Sequence, residues 1–310
     1  MAPACNAATA IVNACMNTRT VDPCASPATL TQSEFDWIRG FMFRRAGINL
    51  APSKKSLVVG RWNRRLKHFG YTTFREYIGL LSSDAGSAEL QIATNLLTTN
   101  ETHFFREQRH FDFLRERVLP HVRRGERFRV WSAACSSGEE PYSIAMLLAA
   151  ELGDCPWEVL GSDISTDVLE TACAGRYSME RARPIPAEYL RRFCLKGIGP
   201  QSGMVLIDPA LRARVQFRHI NLNARLPDIG QFDVIFLRNV MIYFDTDTKI
   251  KVVANLLPTL KPGGHFLVGH CETLNGITEG LGMLSASIYR KPALQAPGRR
   301  RAGAALEPLP

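Results

Sequence analysis

The sequence predicts a two-part α/β protein: an all-α N-terminal domain, then an open, mostly parallel Rossmann-like sheet carrying a small inserted antiparallel β subdomain. Three observations predict it. Apolar residues recur at helical spacing from Thr31 to about Leu97. After Pro120 short apolar runs alternate with helical segments, the rhythm of a parallel sheet. The stretch Lys196–Leu211 (KGIGPQSGMVLIDPAL) then breaks that rhythm, with Gly197, Gly199 and Gly203 placed for turns.

In the first part, Thr31 and Glu34 form a capping-box signature ahead of Phe35, Ile38 and Met42, and Gly47 is a stop. A second helix reads from Ser53 to Phe69, with Val58, Trp62, Leu66 and Phe69 on one apolar stripe. Lys54, Arg61, Arg65 and His68 form another stripe, and Ser53–Gly70 holds six Lys/Arg and no carboxylate. Thr73 and Glu76 open a third helix, and Ser87–Leu97 is a fourth. In the second part Phe128–Ala134, Glu158–Ser162, Val215–His219, Asp233–Leu237 and His265–Gly269 read as strands. The expected division is a flexible tail over 1–28, the helical domain over 29–97, the sheet domain over 98–291 with its β subdomain about 190–214, and a second tail over 292–310. That last segment is Pro/Ala-rich, with a basic patch at Arg299–Arg301.

At 310 residues the chain is long enough for one large domain and a smaller one. Its eight cysteines are scattered without a C-x-x-C pair, which points to reduced thiols, not a disulfide framework. His265, His270 and Cys271 lie close together, but no second ligand cluster supports them, and no metal site is expected. No apolar run approaches the roughly 20 residues that span a bilayer, nor is there a signal-peptide pattern, so the expected location is the cytoplasm. A formal net charge of +9 favours an acidic partner without choosing its kind.

In open α/β sheets ligands sit beyond the carboxyl ends of the strands. Three such ends carry polar groups. Ala133–Glu140 (AACSSGEE) runs from a strand into a helix beginning near Pro141, where small residues permit close backbone approach and free N–H groups await an anion. Asp163 ends EVLGSD, the place where an acidic residue holds a ribose diol; a helix-capping role fits the same position. Arg238–Asn239 ends the apolar strand DVIFL and must find partners or face a cleft. Leu260–His270 (LKPGGHFLVGH) then has the late helix–turn–strand pattern found in S-adenosylmethionine-dependent methyltransferases.

The segments NETHFFRE (Asn100–Glu107), WSAACSSGEEPYS (Trp131–Ser143), FDVIFLRNVMIYF (Phe232–Phe244) and Leu260–Gly269 closely resemble the bacterial chemotaxis-receptor glutamate methyltransferases, the CheR family, over about residues 30–290. The resemblance implies a class I S-adenosylmethionine-dependent methyltransferase that esterifies receptor glutamates, acting as a monomer without nucleic acid or membrane insertion. It implies cofactor contacts from Asn100, Thr102, Arg106, one of Glu139 and Glu140, Asp163, Asn221, Leu222, Arg238 and Asn239. Arg106 and Tyr243 match residues at the methyl-transfer site. It further implies that the basic stripe Lys54, Arg61, Arg65 and His68 docks on the receptor's helical cytoplasmic domain, and that the β subdomain takes a receptor C-terminal peptide by strand addition.

Two other readings compete. A nucleic-acid methyltransferase would suit the charge, but base-amino methylases carry an N/D-P-P-aromatic motif where this chain has Arg238-Asn239-Val240-Met241. A non-catalytic receptor-binding module would have no need of the set Asn100, Arg106, Asp163, Asn239 and Tyr243.

Overall fold

The structure, a computed structural model, describes residues 28–123 and 125–293. Nearly all of the two expected tails, with Arg299–Arg301, Cys5, Cys15 and Cys24, lies outside the described residues.

Four helices form the N-terminal part: α1 (Gln32–Ala46), α2 (Lys55–Phe69), α3 (Phe74–Leu81) and α4 (Ser87–Leu97). Thr31 and Thr73 both head capping boxes, with Glu34 and Glu76 reaching back to them. Gly47 ends α1 in the left-handed region, φ 73°, which costs glycine little because it has no Cβ. Val58, Trp62 and Leu66 of α2 pack into one core with Phe35, Ile38, Phe74 and Tyr77. Phe69, the expected fourth member of that stripe, is exposed, because α2 ends there and the stripe runs off the core.

Two short elements follow the linker: α5 (Gln108–Phe113), and strand β1 (Phe128–Ala133) leading into α6 (Glu139–Leu152). Next come β2 (Trp157–Asp163), α7 (Thr166–Ala174), β3 (Arg176–Ser178), β4 (Cys194–Lys196), β5 (Met204–Ile207) and β6 (Val215–His219). The chain closes with β7 (Phe232–Leu237), β8 (Leu260–Val268), β9 (Gly282–Ser285) and β10 (Ile288–Arg290). Seven strands make one sheet in the order β6-β2-β1-β7-β8-β10-β9, parallel except for β10, which pairs antiparallel with both β8 and β9. The chain builds outward through β2 and β6, then returns to the other side of β1 for β7. The switch point therefore lies at the β1/β7 junction, where ligands of such sheets bind. Central strands are buried on both faces, which explains why they read as continuous apolar runs instead of alternating ones.

The three-stranded sheet β3-β5-β4 is antiparallel throughout, as expected for the insertion. It starts earlier than the expected boundary near 190, because β3 at Arg176–Ser178 belongs to it. A strand of three residues carries too little alternation to be seen in sequence.

Candidate functional site

A cavity of about 310 Å³ opens where the carboxyl ends of β1, β2, β6 and β7 face the helical domain. Asn100, Thr102, Arg106, Glu140, Asp163, Asn221, Leu222, Arg238, Asn239 and Tyr243 all line it, and Lys54 joins them from the segment leading into α2. Glu139 does not.

The turn after β1 takes a tight course with Ala134, Ser136 and Gly138 all at positive φ (66°, 50° and 95°). Asp163 locks it: one carboxylate oxygen accepts the Ser136 N–H and the other the Ser165 N–H, each at 2.9 Å. Burial pushes the Asp163 carboxyl up, and these backbone donors work against it. Asp163 is thus a loop organiser as well as a cavity wall; the residue that caps α7 is Ser165, whose N–H Asp163 holds. Ser136 ties the turn to the linker, its hydroxyl donating to the Asn100 carbonyl at 2.8 Å.

Glu139 and Glu140 open α6 and point apart, since successive residues on a helix are about 100° apart. Glu139 is fully buried against the β subdomain, held by Arg181 and by the Ser137 hydroxyl at 2.9 Å. Glu140 turns to the cavity, accepting from the Ser132 hydroxyl at 2.7 Å and from Arg238 Nε at 2.7 Å.

Arg238 is the hub of the site. Its side chain is 1 % exposed, and beyond Glu140 its Nη1 donates to the Arg106 carbonyl (2.7 Å), to His110 Nδ1 (3.0 Å) and to Glu107 (3.3 Å). Since His110 Nδ1 accepts, its proton sits on Nε2, which donates to the Ser287 hydroxyl at 2.8 Å. Burial and then the Arg238 charge lower His110 to about 3, so the ring is neutral. Glu107, His110 and His270 bring metal-type donor atoms within 4.8 Å of one another. The guanidinium already hydrogen-bonds two of the three, so positive charge at that spot comes from Arg238.

Arg106 lies between Phe105 and Glu107, both at positive φ (55° and 61°). The Phe105 N–H donates to the Ser143 hydroxyl at 2.9 Å, and Arg106 Nη1 donates to the Glu101 carbonyl at 3.1 Å. Tyr243 ends the turn that follows β7, and its carbonyl accepts the Asn49 N–H at 2.8 Å, a tie to the helical domain.

Two expectations change. Arg61 is not a free docking group: its Nη1 donates to the carbonyls of Leu96 (3.0 Å) and Thr98 (2.7 Å). Nor is Arg65, which grips buried Glu89 with two bonds of 2.6 and 2.7 Å while the Tyr77 hydroxyl donates to the same carboxylate. The carboxylate that α2 lacks comes from α4. Lys54 and His68 remain exposed. Asn221 lines the cavity, and one N–H of its side-chain amide donates to the Arg45 carbonyl at 2.6 Å.

Sequence reading missed Ser132, Glu107, His110 and Glu272 as site-building residues. Glu107 stood within NETHFFRE without a role, and the buried Glu272 accepts backbone N–H groups from Gly269, Asn239 and Ile242. A carboxylate beside an apolar strand end was the only available signal.

The lining offers two kinds of surface. Ile164, Ile220 and Leu222 are apolar beside the Asp163 carboxylate, which suits a nucleoside; Glu140 and Arg106 supply both signs of charge, which suits an amino-acid end. S-adenosylmethionine combines both, so the residues fit it. A cavity of this chemistry at the switch point of this sheet is that of a class I S-adenosylmethionine-dependent methyltransferase. Residues 100–290 match the CheR methyltransferase SAM binding domain and residues 33–98 the CheR methyltransferase all-alpha domain. The chain is 42% identical over 263 residues to a chemotaxis protein methyltransferase of Escherichia coli K12, covering 84% of this chain and 91% of that one. It is 43% identical to chemotaxis protein methyltransferase 2 of Pseudomonas aeruginosa over 245 residues, 78% of this chain and 87% of that one. The chain belongs to the CheR family, and it is an S-adenosylmethionine-dependent methyltransferase of chemotaxis.

Proposed function

We propose that the acceptor is a glutamate carboxylate on the helical cytoplasmic part of a chemoreceptor, which leaves the protein as a methyl ester. The observation that carries this reading is the cavity wall: Arg106 and Lys54 bring cations to it, suited to a carboxylate, and Tyr243 lines it with them. A glutamate, with a pKa of about 4.3, is already a nucleophile at neutral pH and needs no general base. An amine acceptor would need one. S-adenosylmethionine, when bound, supplies an electrophilic methyl on a sulfonium. The chain's own task is then positioning, where orientation contributes several kcal/mol. Arg106 holds the incoming carboxylate, Tyr243 borders it, and Asn100, Thr102, Glu140, Asp163, Leu222 and Asn239 hold the cofactor. Arg238 acts through Glu140 and the Arg106 carbonyl.

Docking rests on exposed basic side chains of α2 and the segment before it, with Lys54 and His68 joined by Arg64 and Lys67 in place of Arg61 and Arg65. A receptor C-terminal peptide suits β4, an edge strand whose central Leu195 is 49% exposed and which is followed by Ile198, 81% exposed. No helix of the described residues is long and apolar enough to cross a membrane; the proposed location is the cytoplasm.

Labelled methyl transfer to a chemoreceptor cytoplasmic fragment, followed by alkali, tests the reading. The expected result is base-labile label recovered as methanol. Base-stable label, or transfer to RNA in preference to the receptor, overturns it.

A further inference from the structure

The two residues placed at the acceptor, Arg106 and Tyr243, come from segments far apart in the chain: the linker after α4 and the turn after β7. Neither segment is held by regular secondary structure alone. Arg106 sits between two residues at positive φ, and Asn239, which begins the turn to Tyr243, is itself at φ 58°. Conformations of this kind cost of order 1 kcal/mol or more each for residues other than glycine and persist only where surrounding bonds dictate them.

Two carboxylates supply those bonds, and they meet at Asn239. Glu107 accepts the Asn239 side-chain amide at 3.2 Å, the His270 N–H at 3.1 Å and Arg238 Nη1 at 3.3 Å. Glu272 accepts the Asn239 N–H at 2.8 Å, the Gly269 N–H at 2.7 Å and the Ile242 N–H at 3.3 Å. The junction has no spare room. A Cβ on Gly269 would lie 2.6 Å from the Asn239 amide nitrogen and 2.9 Å from the Glu272 carboxylate. Arg238 completes the circuit by holding the Arg106 carbonyl.

We infer that Glu107 and Glu272 form a brace, joined through Asn239, that registers Arg106 against Tyr243 for methyl transfer. Both are positioning residues: neither lines the cavity, and each acts through a residue that does. The inference rests on the proposed roles of Arg106 and Tyr243.

The test uses the full chain with Glu107→Gln and Glu272→Gln, which keep side-chain volume but replace one acceptor oxygen by a donor facing N–H groups. Each variant is expected to lose roughly 100-fold in kcat, the scale of an ångström of misplacement. Affinity for S-adenosylhomocysteine, read by calorimetry, should stay within about threefold, because Asp163, Leu222 and Thr102 are untouched. The double variant should fall little below the weaker single one, since the two act as a unit. Asn239→Gly provides a variant that suits the positive φ, keeps the backbone N–H to Glu272 and removes the link to Glu107 together with the side chain placed at the cofactor; its kcat should also fall. Unchanged kcat in both Gln variants overturns the brace. So does a kcat loss matched by an equal loss of S-adenosylhomocysteine affinity, which marks a general structural role, or a double variant that multiplies the single losses. If a Gln variant does not fold, Asn239→Gly decides: normal kcat overturns the inference. Should the unaltered protein give no transfer to the receptor fragment, the acceptor assignment fails instead. Backbone hydrogen exchange over residues 239–243 then tests the brace alone: it should rise in Glu107→Gln, and unchanged protection overturns it.

Discussion

Two buried guanidinium–carboxylate networks, one in each domain, look alike in a list of contacts and differ in what they hold. Arg65, Glu89 and Tyr77 join three regular helices, α2, α3 and α4, and no residue of that network has a positive φ. Arg238, Glu140, Glu107 and His110 join three separate segments, the turn after β7, the start of α6 and the start of α5, and Glu107 itself, with Phe105 and Asn239, sits in the left-handed region. The first network stabilises a fold that helix packing would already favour. The second holds irregular backbone around a cavity, where a small displacement changes what the cavity can do. Convergence of several segments and local strain, not buried charge as such, separate a working site from an ordinary one.

Substitutions should separate the two networks in order of effect. Arg106→Ala should reduce methyl transfer by at least about 100-fold with Tm nearly unchanged, measured as single-turnover methylation of a receptor fragment. Near-normal turnover would remove Arg106 from the acceptor site. Arg65→Ala should do the reverse, costing roughly 3 kcal/mol in denaturant unfolding because Glu89 is left buried without its cation, while kcat of the folded fraction is kept. A fall in kcat without loss of stability would erase the contrast.

A smaller effect is expected from Lys54→Glu. The KM for the receptor should rise several-fold at low salt, and the difference should shrink as salt is added. Equal effects at all ionic strengths would speak against electrostatic docking.

The pH response is the finest test. His110 is lowered from 6.5 to about 3, so the folded state resists a proton that the unfolded chain accepts. Its contribution is complete above pH 6.5 and declines as pH falls through that window, by up to about 1.4 kcal/mol per pH unit. His110→Gln should flatten this slope in pH-dependent unfolding. Glu107 is lowered too: burial works to raise it, but the His270 N–H and the Arg238 charge outweigh that, so its contribution is present above the ordinary carboxylate range and is lost as pH falls below it. An unchanged slope in His110→Gln would place the titration elsewhere.

Much of this was readable before any coordinates. Capping boxes at Thr31 and Thr73 and the apolar runs of β1 and β7 are local patterns, written in neighbouring residues and therefore visible in sequence. Polar groups at strand ends marked Asp163, Arg238 and Asn239, because parallel strands deliver their carboxyl ends to one edge. Pairing across the chain was not readable. The charges of Arg61 and Arg65 looked free because their partners lie in or just after α4; the partners of Glu107 and Glu272 likewise lie far along the chain or in its backbone N–H groups.

The sequence by itself determined the fold class, the family and the edge of the sheet where chemistry happens, since periodicity, turn residues and motifs are properties of short segments. Only the tertiary structure decided which of two adjacent glutamates, Glu139 or Glu140, enters the cavity, and which basic side chains of α2 are left for a partner. The helix turn between those glutamates sends one to the β subdomain and the other to Arg238, and each of those partners is supplied by a distant part of the chain.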